Sequence, residues 1–421
     1  MAIITLQFGQ CGNQIGKVLY EEILNDIKTD ANKAGVSKNA NREYVSESIS
    51  KWFYVNPNDS WDVRSILIDT EAKVISKAND NFYKFRNLVV KAHGGAANNW
   101  AYGYCSKSKL LMADIEDGVR REVERGDGVS SIVGMLSSAG GTGSGVGSRT
   151  LEMLRDLYPN KIITSVIVLP YIRGEVVTQS YNSLLTLTKL YDATDAIFLY
   201  ENDIVHRMCS KYLSLSKISF DDINGIIAQQ LATTFQPLGD ATTWNVIKNL
   251  SSHPNYKLIQ IRSAPHIAKK HLQFETSSTW SMLVAQIKSS IKSSHDFFEI
   301  RNEKKLKCTG NIFIKRGPIT ANLEDLKPLS DPSIYVSWLP PESQLSSFHQ
   351  SRSFKDVKIF ATFLSNNNYV YNALDNILND ALLLYNNKAY LHHYERFGIN
   401  KEFFDNAFDE FNNISEAYAV L

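Results

Sequence analysis

The stretch Ser137-Ser138-Ala139-Gly140-Gly141-Thr142-Gly143-Ser144-Gly145 decides the fold class of this chain. It follows the apolar run Ser131–Leu136, which is typical of a buried strand, and it opens a helical pattern that continues to Leu157. Glycines let successive backbone N–H groups approach one anion because no Cβ blocks the way, and the helix start adds about half a positive charge. We therefore interpret the stretch as a phosphate-binding loop rather than a flexible turn.

A second glycine turn, Gly9-Gln10-Cys11-Gly12-Asn13-Gln14-Ile15-Gly16, follows the strand Ile3–Phe8 and begins a helix that runs to about Ile27. Two strand–glycine–helix units in one domain suggest a nucleotide held from both sides. Asp69 and Glu71 follow the strand Ile66–Ile68, where two carboxylates could hold Mg²⁺ through water beside a triphosphate; a solvated turn is the alternative. The glycine loops contain no Gly-Lys-Ser/Thr, which excludes a P-loop. No acid follows Leu169 to hold an adenosine ribose, which disfavours a nicotinamide-dependent dehydrogenase.

The order of elements predicts an α/β fold. Strand and helix patterns alternate through the first half, and the β-branched run Ile162–Leu169 is typical of a strand buried on both faces of a parallel sheet. Ser219-x-x-Asp222 predicts a capping box for a helix that stops before Pro237 and could join two domains. The second half is mixed, with predicted strands at Lys257–Ile261, Asn311–Ile314, Ile334–Trp338 and Val357–Phe363, and the last fifty residues are predicted to be helical. The polar stretches Lys28–Asn41 and Asn366–Asn368 are expected to be exposed loops.

Composition narrows the class of protein. The chain has 421 residues with a formal net charge of +1, so it has no global field that would attract nucleic acid or an anionic membrane. Hydrophobic residues make up 43% and charged residues 21%, which is typical of a globular protein. No apolar run is long enough to span a bilayer, and no secretory signal is visible. The four cysteines are far apart, which favours a reducing cytosol over a disulfide framework or a zinc site.

The two glycine segments together resemble the tubulin superfamily. The motifs Asn98–Tyr104, Tyr181-Asn182, Glu201-Asn202-Asp203 and Lys388–His392 are also similar to that family, and the likeness runs over essentially the whole chain. Within the superfamily the delta-tubulin subfamily is most similar, on Gly174–Val177, Ile218–Asn224, Phe235–Pro237 and Phe397–Ile399. The resemblance implies an N-terminal Rossmann-like GTPase domain (1–201), a core helix with a second α/β domain of mixed sheet (202–370) and a C-terminal helical hairpin (371–421).

The resemblance also implies a guanine nucleotide, GTP or GDP, with Mg²⁺, at the carboxyl ends of the sheet. Gln10 and Cys11 would touch the phosphates; Gln10, Asp69 and Glu71 would hold the metal, mostly through water. The remaining implied positions are Ala96, Ala97 and Asn98 at the γ-phosphate, Ser137, Gly140, Gly141, Thr142, Gly143 and Ser144 around the other phosphates, Glu175 and Gln179 near the ribose, and Ile15, Asn202, Phe220 and Asn224 around the base. Gln14 is implied as a further nucleotide-binding residue. Amides suit the base because one group both donates and accepts, although Asn202 and Asn224, taken alone, could be mere helix caps.

Four departures from the family pattern affect these expectations. Ala139 replaces a glycine, and its methyl should be tolerated if the local φ is negative. Gln179 stands where many relatives have a ribose-binding glutamate. The segment Leu238–Asn249, which would activate hydrolysis in a neighbouring subunit, offers Asn245 at the aligned position, and Asp240 is its only carboxylate. Because an amide cannot take a proton from water as a carboxylate can, we expect slow GTP hydrolysis and assign no catalytic residue. A long acidic tail is not expected beyond Leu421.

The first hypothesis for function is a structural GTP-binding cytoskeletal protein of the cytoplasm that acts in centriole and basal body microtubules. Its expected partners are other tubulins, through head-to-tail or lateral contacts, and centriole components, with no nucleic acid and no membrane. The alternative is a soluble GTP-dependent switch that does not polymerise, or a regulator of tubulin assembly. A nicotinamide-dependent enzyme is the third, remote possibility.

Overall fold

The computed structural model describes residues 2–78, 88–90, 94–125, 128–174, 176–213, 215, 217–239, 242–266, 278–295, 305–355 and 357–421. Its strands are β1 (Ala2–Phe8), β2 (Phe53–Val55), β3 (Trp61–Val63), β4 (Ser65–Asp69), β5 (Leu88–Val90), β6 (Val129–Ser137), β7 (Ile162–Leu169), β8 (Ala196–Glu201), β9 (Leu258–Ala264), β10 (Cys308–Arg316), β11 (Leu345–Gln350) and β12 (Phe360–Asn367).

The helices are α1 (Gly9–Lys28), α2 (Ala31–Ala34), α3 (Lys38–Trp52), α4 (Ala72–Ala78), α5 (Ser108–Glu124), α6 (Gly147–Leu157), α7 (Gln179–Ala193), α8 (Asn202–Leu213), α9 (Phe220–Phe235), α10 (Thr243–Leu250), α11 (Trp280–His295), α12 (Leu323–Leu326), α13 (Pro341–Gln344), α14 (Tyr371–Asn386), α15 (Leu391–Glu395) and α16 (Lys401–Ala419). Two π-helical turns, Tyr102–Lys107 and Thr142–Val146, directly precede α5 and α6. Short 3₁₀ turns lie at Pro332–Ile334 and Asn368–Val370.

The first of two compact units contains Met1–Lys17, Ile49–Asn202 and Ala373–Ala417. Its main sheet is parallel throughout, in the order β8-β7-β6-β1-β4-β5. Most residues of β1, β6 and β7 are buried, as apolar, β-branched strands covered on both faces must be. The predicted Rossmann-like parallel sheet is confirmed, and all its strands present their carboxyl ends at one edge.

The C-terminal helices of the first unit pack through aromatic rings. Phe404 of α16 lies 5.1 Å from the ring of Tyr181 and 5.4 Å from that of Tyr394, measured between centroids. Phe408 and Phe411 continue this buried stripe on α16. The helical ending predicted from the spacing of these phenylalanines is therefore confirmed.

The second unit contains Val18–Ser48, Asp203–Asn372 and Tyr418–Leu421. Its sheet has the order β11-β10-β12-β9 and is mixed, since β10 pairs in parallel with β11 and antiparallel with β12. The apolar side of α11, including Trp280 and Ile287, packs on Phe313 and Phe363 of the sheet. The predicted helix α9 is present with its capping box between Ser219 and Asp222, and Thr233 joins it to β12 through a 2.7 Å hydroxyl contact with Thr362. The mixed second sheet is confirmed, whereas the division into three domains stays a prediction.

The prediction of an exposed loop at Lys28–Asn41 is wrong. The segment contains α2 and the start of α3, and α2 is closed by the Asp30 side chain at its N-cap and by Gly35, with φ of 71°, at its C-cap. These helices were missed because their polar composition gives no apolar periodicity. Within the second unit, α3 is bonded to the segment that follows β11, since Arg352 Nε donates to Asn41 Oδ1 at 2.8 Å.

The expectations for Ile334–Trp338 and Asn366–Asn368 are also wrong. The first segment turns instead of forming a strand, because the Asp331 carboxylate accepts the Ser333 N–H at 2.9 Å and fixes a 3₁₀ turn; the actual strand is the polar β11. The three asparagines are buried rather than exposed. Asn366 Nδ2, for example, donates to the carbonyls of Leu250 and Tyr256 at 2.9 and 2.8 Å.

No helix in the described ranges combines the length and the apolar composition that crossing a bilayer requires.

Candidate functional site

The predicted phosphate-binding segments of the first unit all follow parallel strands at the carboxyl edge of its sheet. Gln10 and Cys11 come just after β1. Asp69 is the last residue of β4, and Glu71 follows it. Asn202 comes directly after β8. Ala96–Asn98 come after β5, whereas Ser137 ends β6 and Ser138–Ser144 follow it. This edge is where α/β sheets bind ligands, so the topology brings these segments to one side of the unit.

The glycine-rich loop lies directly against the segment that follows β5. A Cβ added at Gly141 would lie 2.5 Å from the carbonyl oxygen of Ala96 and 2.7 Å from the amide nitrogen of Asn99. A Cβ at Gly145 would lie 2.3 Å from the carbonyl oxygen of Trp100. The two backbones thus meet without intervening side chains, and only glycine permits this approach. Ser144 Oγ donates to the carbonyl oxygen of Gly140 and closes the loop on itself.

Ala97 and Asn98 form the exposed tip of the segment after β5. Both residues have left-handed backbone conformations, with φ of 48° and 49°. Such values are uncommon for residues other than glycine, and they are held only where the surroundings fix them. Ala96, in contrast, is buried beside Gly141. Ala139 is not among the residues with positive φ, so the condition under which its methyl should be tolerated is met.

Asp69 presents a buried carboxylate with one oxygen in use. Its Oδ1 accepts the Glu71 N–H at 3.0 Å, whereas Oδ2 is buried without a hydrogen-bond partner. Loss of solvation raises the pKa of Asp69 from 3.8 to about 6. Glu71 is exposed, and its Oε1 lies 2.3 Å from the position that a Cβ on Gly95 would take. A buried carboxylate oxygen with no partner is what a cation or a metal-bound water would satisfy.

The residues at the start of α1 differ in exposure. Gln10 is exposed, Cys11 and Gln14 are partly exposed, and Ile15 is fully buried. Burial raises the pKa of the Cys11 thiol to about 12, so the thiol is neutral and available only as a weak donor or packing group. Gly9, with φ of 66°, lets the chain pass from β1 into α1 without a linker. The first backbone N–H groups of α1 therefore lie at the carboxyl edge of the sheet.

Comparison with known proteins identifies the family. Residues 2–210 match the family model described as the Tubulin/FtsZ family, GTPase domain. Along its full length the chain is 32% identical to the tubulin delta chain of Macaca fascicularis and 31% identical to that of Homo sapiens, with 100% of each chain covered. The chain belongs to the tubulin superfamily. It is 25% identical to the tubulin beta-1 chain of Colletotrichum graminicola, over 99% of this chain and 94% of that protein, so it is more similar to these delta chains than to this beta chain.

This tubulin-family chain is a GTP-binding protein. The Mg²⁺ ion and the residues that would hold it stay predictions. Ser137 Oγ accepts the Ala139 N–H at 3.3 Å, which leaves its hydroxyl proton to donate to a phosphate. The metal would be bound by hard oxygen donors, those of Gln10, Asp69 and Glu71, which suits Mg²⁺. In the described ranges, no group of three or more His, Cys, Asp or Glu side chains forms a metal site by itself.

Gln179 is the first residue of α7 in this tubulin-family chain. Its Nε2 donates to the carbonyl oxygen of Tyr171 at 2.9 Å, while its Oε1 is buried without a partner. An amide oxygen in that state can accept a ribose hydroxyl, as the glutamate of other tubulins would. The predicted ribose contact thus keeps an acceptor despite the replacement of the glutamate.

The other predicted residues lie elsewhere. Glu175 and Asp240 lie outside the described residues. Phe220 and Asn224 are on the first turns of α9 in the second unit, where Phe220 is exposed and Asn224 is buried. Asn245 is exposed on the first turn of α10, and its N–H bonds to the Thr242 hydroxyl at 3.2 Å. The roles assigned to these side chains stay predictions.

Two polar residues of the site were not assigned a role from the sequence. The hydroxyl of Thr70, next to Asp69, lies 2.9 Å from that of Thr142 and joins the acidic loop to the glycine-rich loop. Asn182 is fully buried on α7 and bonds to both phosphate-binding segments. A polar amide in a buried helix is a usable signal, because such a group must find partners.

Proposed function

We propose that this chain is a delta-tubulin-like cytoskeletal protein that binds GTP or GDP with Mg²⁺ and acts in the assembly or maintenance of centriole and basal body microtubules. The observation that carries the GTP part is the contact between the glycine-rich loop and the Ala96–Asn98 loop in a chain that belongs to the tubulin superfamily. The centriolar part rests on similarity over the full length to tubulin delta chains.

The proposed partners are other tubulins, bound head-to-tail or laterally, and centriole components. Head-to-tail contacts join two different surfaces of successive subunits, and they produce filaments when the rotation between subunits does not close into a ring. Asn202, Phe220 and Asn224 are proposed to read the guanine, since two amides and one aromatic ring supply the hydrogen bonds and stacking that a base requires. Support for this assignment comes from the family motif around each residue.

A second candidate is a soluble GTP-dependent switch that never enters a polymer. Asn245 favours it, because the segment that should activate hydrolysis in a neighbouring subunit presents an exposed amide at the aligned position instead of a carboxylate. Sedimentation with GTP, of the chain alone and with alpha/beta-tubulin, separates the two candidates. Pelleting with microtubules or alone supports the structural role, and a chain that stays in the supernatant under every condition supports the switch.

Tagged localisation tests the cellular part of the proposal. Expressed at native level, the tagged chain should concentrate at basal bodies and remain there after the soluble pool is washed out. A uniform signal that detergent extraction removes would contradict a role in centriole and basal body microtubules.

A further inference from the structure

The side chain of Asn182 is bonded to four groups of the first unit at once. Its Nδ2 donates to the carbonyl oxygens of Asn98 at 2.8 Å and of Ala139 at 2.7 Å. Its Oδ1 accepts the Trp100 N–H at 3.0 Å and the Tyr394 hydroxyl at 2.7 Å. All donor and acceptor positions of this fully buried amide are therefore in use, and its orientation is fixed.

These four partners come from three separate parts of the unit. Asn98 and Trp100 belong to the loop expected at the γ-phosphate, Ala139 belongs to the glycine-rich loop, and Tyr394 belongs to α15 near the C-terminus. One side chain thus fixes the distance between the two loops and links both to the C-terminal helices. Burial raises the pKa of the Tyr394 phenol, so the hydroxyl stays a donor at neutral pH.

A second link runs parallel to the first. Asn99 donates from Nδ2 to the carbonyl oxygen of His393 at 3.1 Å, and its Oδ1 accepts the Tyr102 N–H at 3.0 Å. Asn99 is thus bonded directly to His393 of α15, and its neighbour Trp100 is linked through Asn182 to Tyr394, the next residue of α15. Ala97 and Asn98, which have left-handed φ values, directly precede the Asn99 link, so the loop has the strained but fixed geometry that a binding loop needs.

We propose that Asn182 is a positioning residue that sets the γ-phosphate loop against the glycine-rich loop and, through Tyr394, makes the geometry of both loops depend on the C-terminal helices. The inference rests on the proposed function in one respect, namely that these loops hold the phosphates of GTP. It predicts that loosening the Asn182 cluster weakens GTP binding more than GDP binding, since only GTP has the third phosphate that the Ala96–Asn98 loop would contact.

The test compares three substitutions in the full-length chain. Asn182→Asp keeps the shape and the acceptor oxygen but cannot donate to Asn98 and Ala139. Tyr394→Phe removes one hydroxyl. Tyr385→Phe is the matched control, because its hydroxyl bonds to Asp405 at an exposed site between α14 and α16 and does not touch the cluster.

The first readout is the ratio of GTP to GDP affinity, measured with a fluorescent GTP analogue displaced by each nucleotide at 15 °C. Asn182→Asp should lower the ratio by about tenfold and Tyr394→Phe by about threefold, as expected when buried hydrogen bonds are lost, while Tyr385→Phe leaves it unchanged. Equal losses of GTP and GDP affinity, or no loss, would overturn the proposal. If Asn182→Asp does not fold, Tyr394→Phe carries the same test.

The second readout needs no nucleotide. Hydrogen exchange in the peptide 94–104 of the nucleotide-free protein should be faster in Asn182→Asp and Tyr394→Phe than in wild type and Tyr385→Phe. Unchanged exchange would overturn the proposal even if GTP binds. A wild-type chain that binds neither nucleotide contradicts the proposed function, and the exchange measurement then decides separately whether Asn182 positions the loops.

Discussion

Two adjacent glycines of the phosphate-binding loop should respond very differently to an added methyl group. In Gly141→Ala the new Cβ would lie 2.5 Å from the carbonyl oxygen of Ala96 and 2.7 Å from the amide nitrogen of Asn99, both backbone atoms. In Gly140→Ala the nearest atom is Asn98 Oδ1 at 4.0 Å, which is an ordinary contact. Neither glycine has a positive φ, so both backbones accept alanine and only the space differs.

The magnitudes follow from this geometry. Overpacking against backbone costs about 1–3 kcal/mol of unfolding free energy, and replacing glycine by alanine returns about 0.4–1 kcal/mol through the unfolded state. Gly141→Ala should therefore lose about 1 kcal/mol, whereas Gly140→Ala should gain about 0.4–1 kcal/mol, so the two variants should differ by about 2 kcal/mol. At about 2–4 °C per kcal/mol for domains of this size, the melting temperature of Gly141→Ala should lie roughly 4–8 °C below that of Gly140→Ala.

The assay is thermal unfolding of the nucleotide-free proteins, followed at one heating rate. Hydrogen exchange of the peptide 94–104 locates the damage, because the displaced segment should lose protection only in Gly141→Ala. Superimposed melting curves of the two variants, or a lower curve for Gly140→Ala, would refute the reasoning that these two loops meet backbone to backbone.

The remaining predictions concern charge, base selectivity and hydrolysis. Burial raises the pKa of Asp69 to about 6, so between about pH 4 and 6 the folded chain holds a proton that the unfolded chain has already released near 3.8. The contribution of Asp69 to the free energy of unfolding therefore falls as pH rises from about 4 to 6. Asp69→Asn should flatten that part of the stability profile and should weaken GTP binding only when Mg²⁺ is present. An Asn224→Asp variant should lose GTP preference over ATP by ~1–3 kcal/mol in competition binding, and an unchanged preference would count against the base assignment. The purified chain should hydrolyse GTP slowly, since the lack of a positioned base costs about 10²–10⁴-fold in rate. The check is single-turnover hydrolysis at a concentration where pelleting shows no polymer. Hydrolysis within seconds would point to Glu71 or Asp69 as a base within the chain.

Local patterns predicted the first unit well. The parallel sheet and the two glycine turns were predictable because a β-branched run and a glycine-rich helix start determine structure from neighbouring residues alone. Asp69 was predictable for the same reason, since it ends a short apolar strand. Its unpartnered Oδ2 and raised pKa were not predictable, because they depend on the elements that bury it.

The contacts of side chains whose partners are distant in sequence could not be predicted from the sequence. Asn182 was noted only as part of a motif, since its four partners come from segments up to 212 residues away. Asn366 was expected to be exposed because asparagine favours loops. Its side chain is instead buried, and it donates to two carbonyl groups more than 100 positions away in the sequence. The polar helix α2 was missed because its stability comes from capping and from packing within the second unit rather than from an apolar stripe. Polar groups in a fold are determined by tertiary hydrogen bonds, which no local pattern records.

The most direct test of the central claim is competition for a fluorescent GTP analogue by four unlabelled nucleotides on the purified, full-length chain. The account predicts that GTP and GDP displace the analogue in the presence of Mg²⁺, whereas ATP and NAD at the same concentrations do not. Absence of binding, or displacement by ATP or NAD as effective as that by GTP, would contradict a guanine-nucleotide site built on the loops that follow β1, β4, β5 and β6.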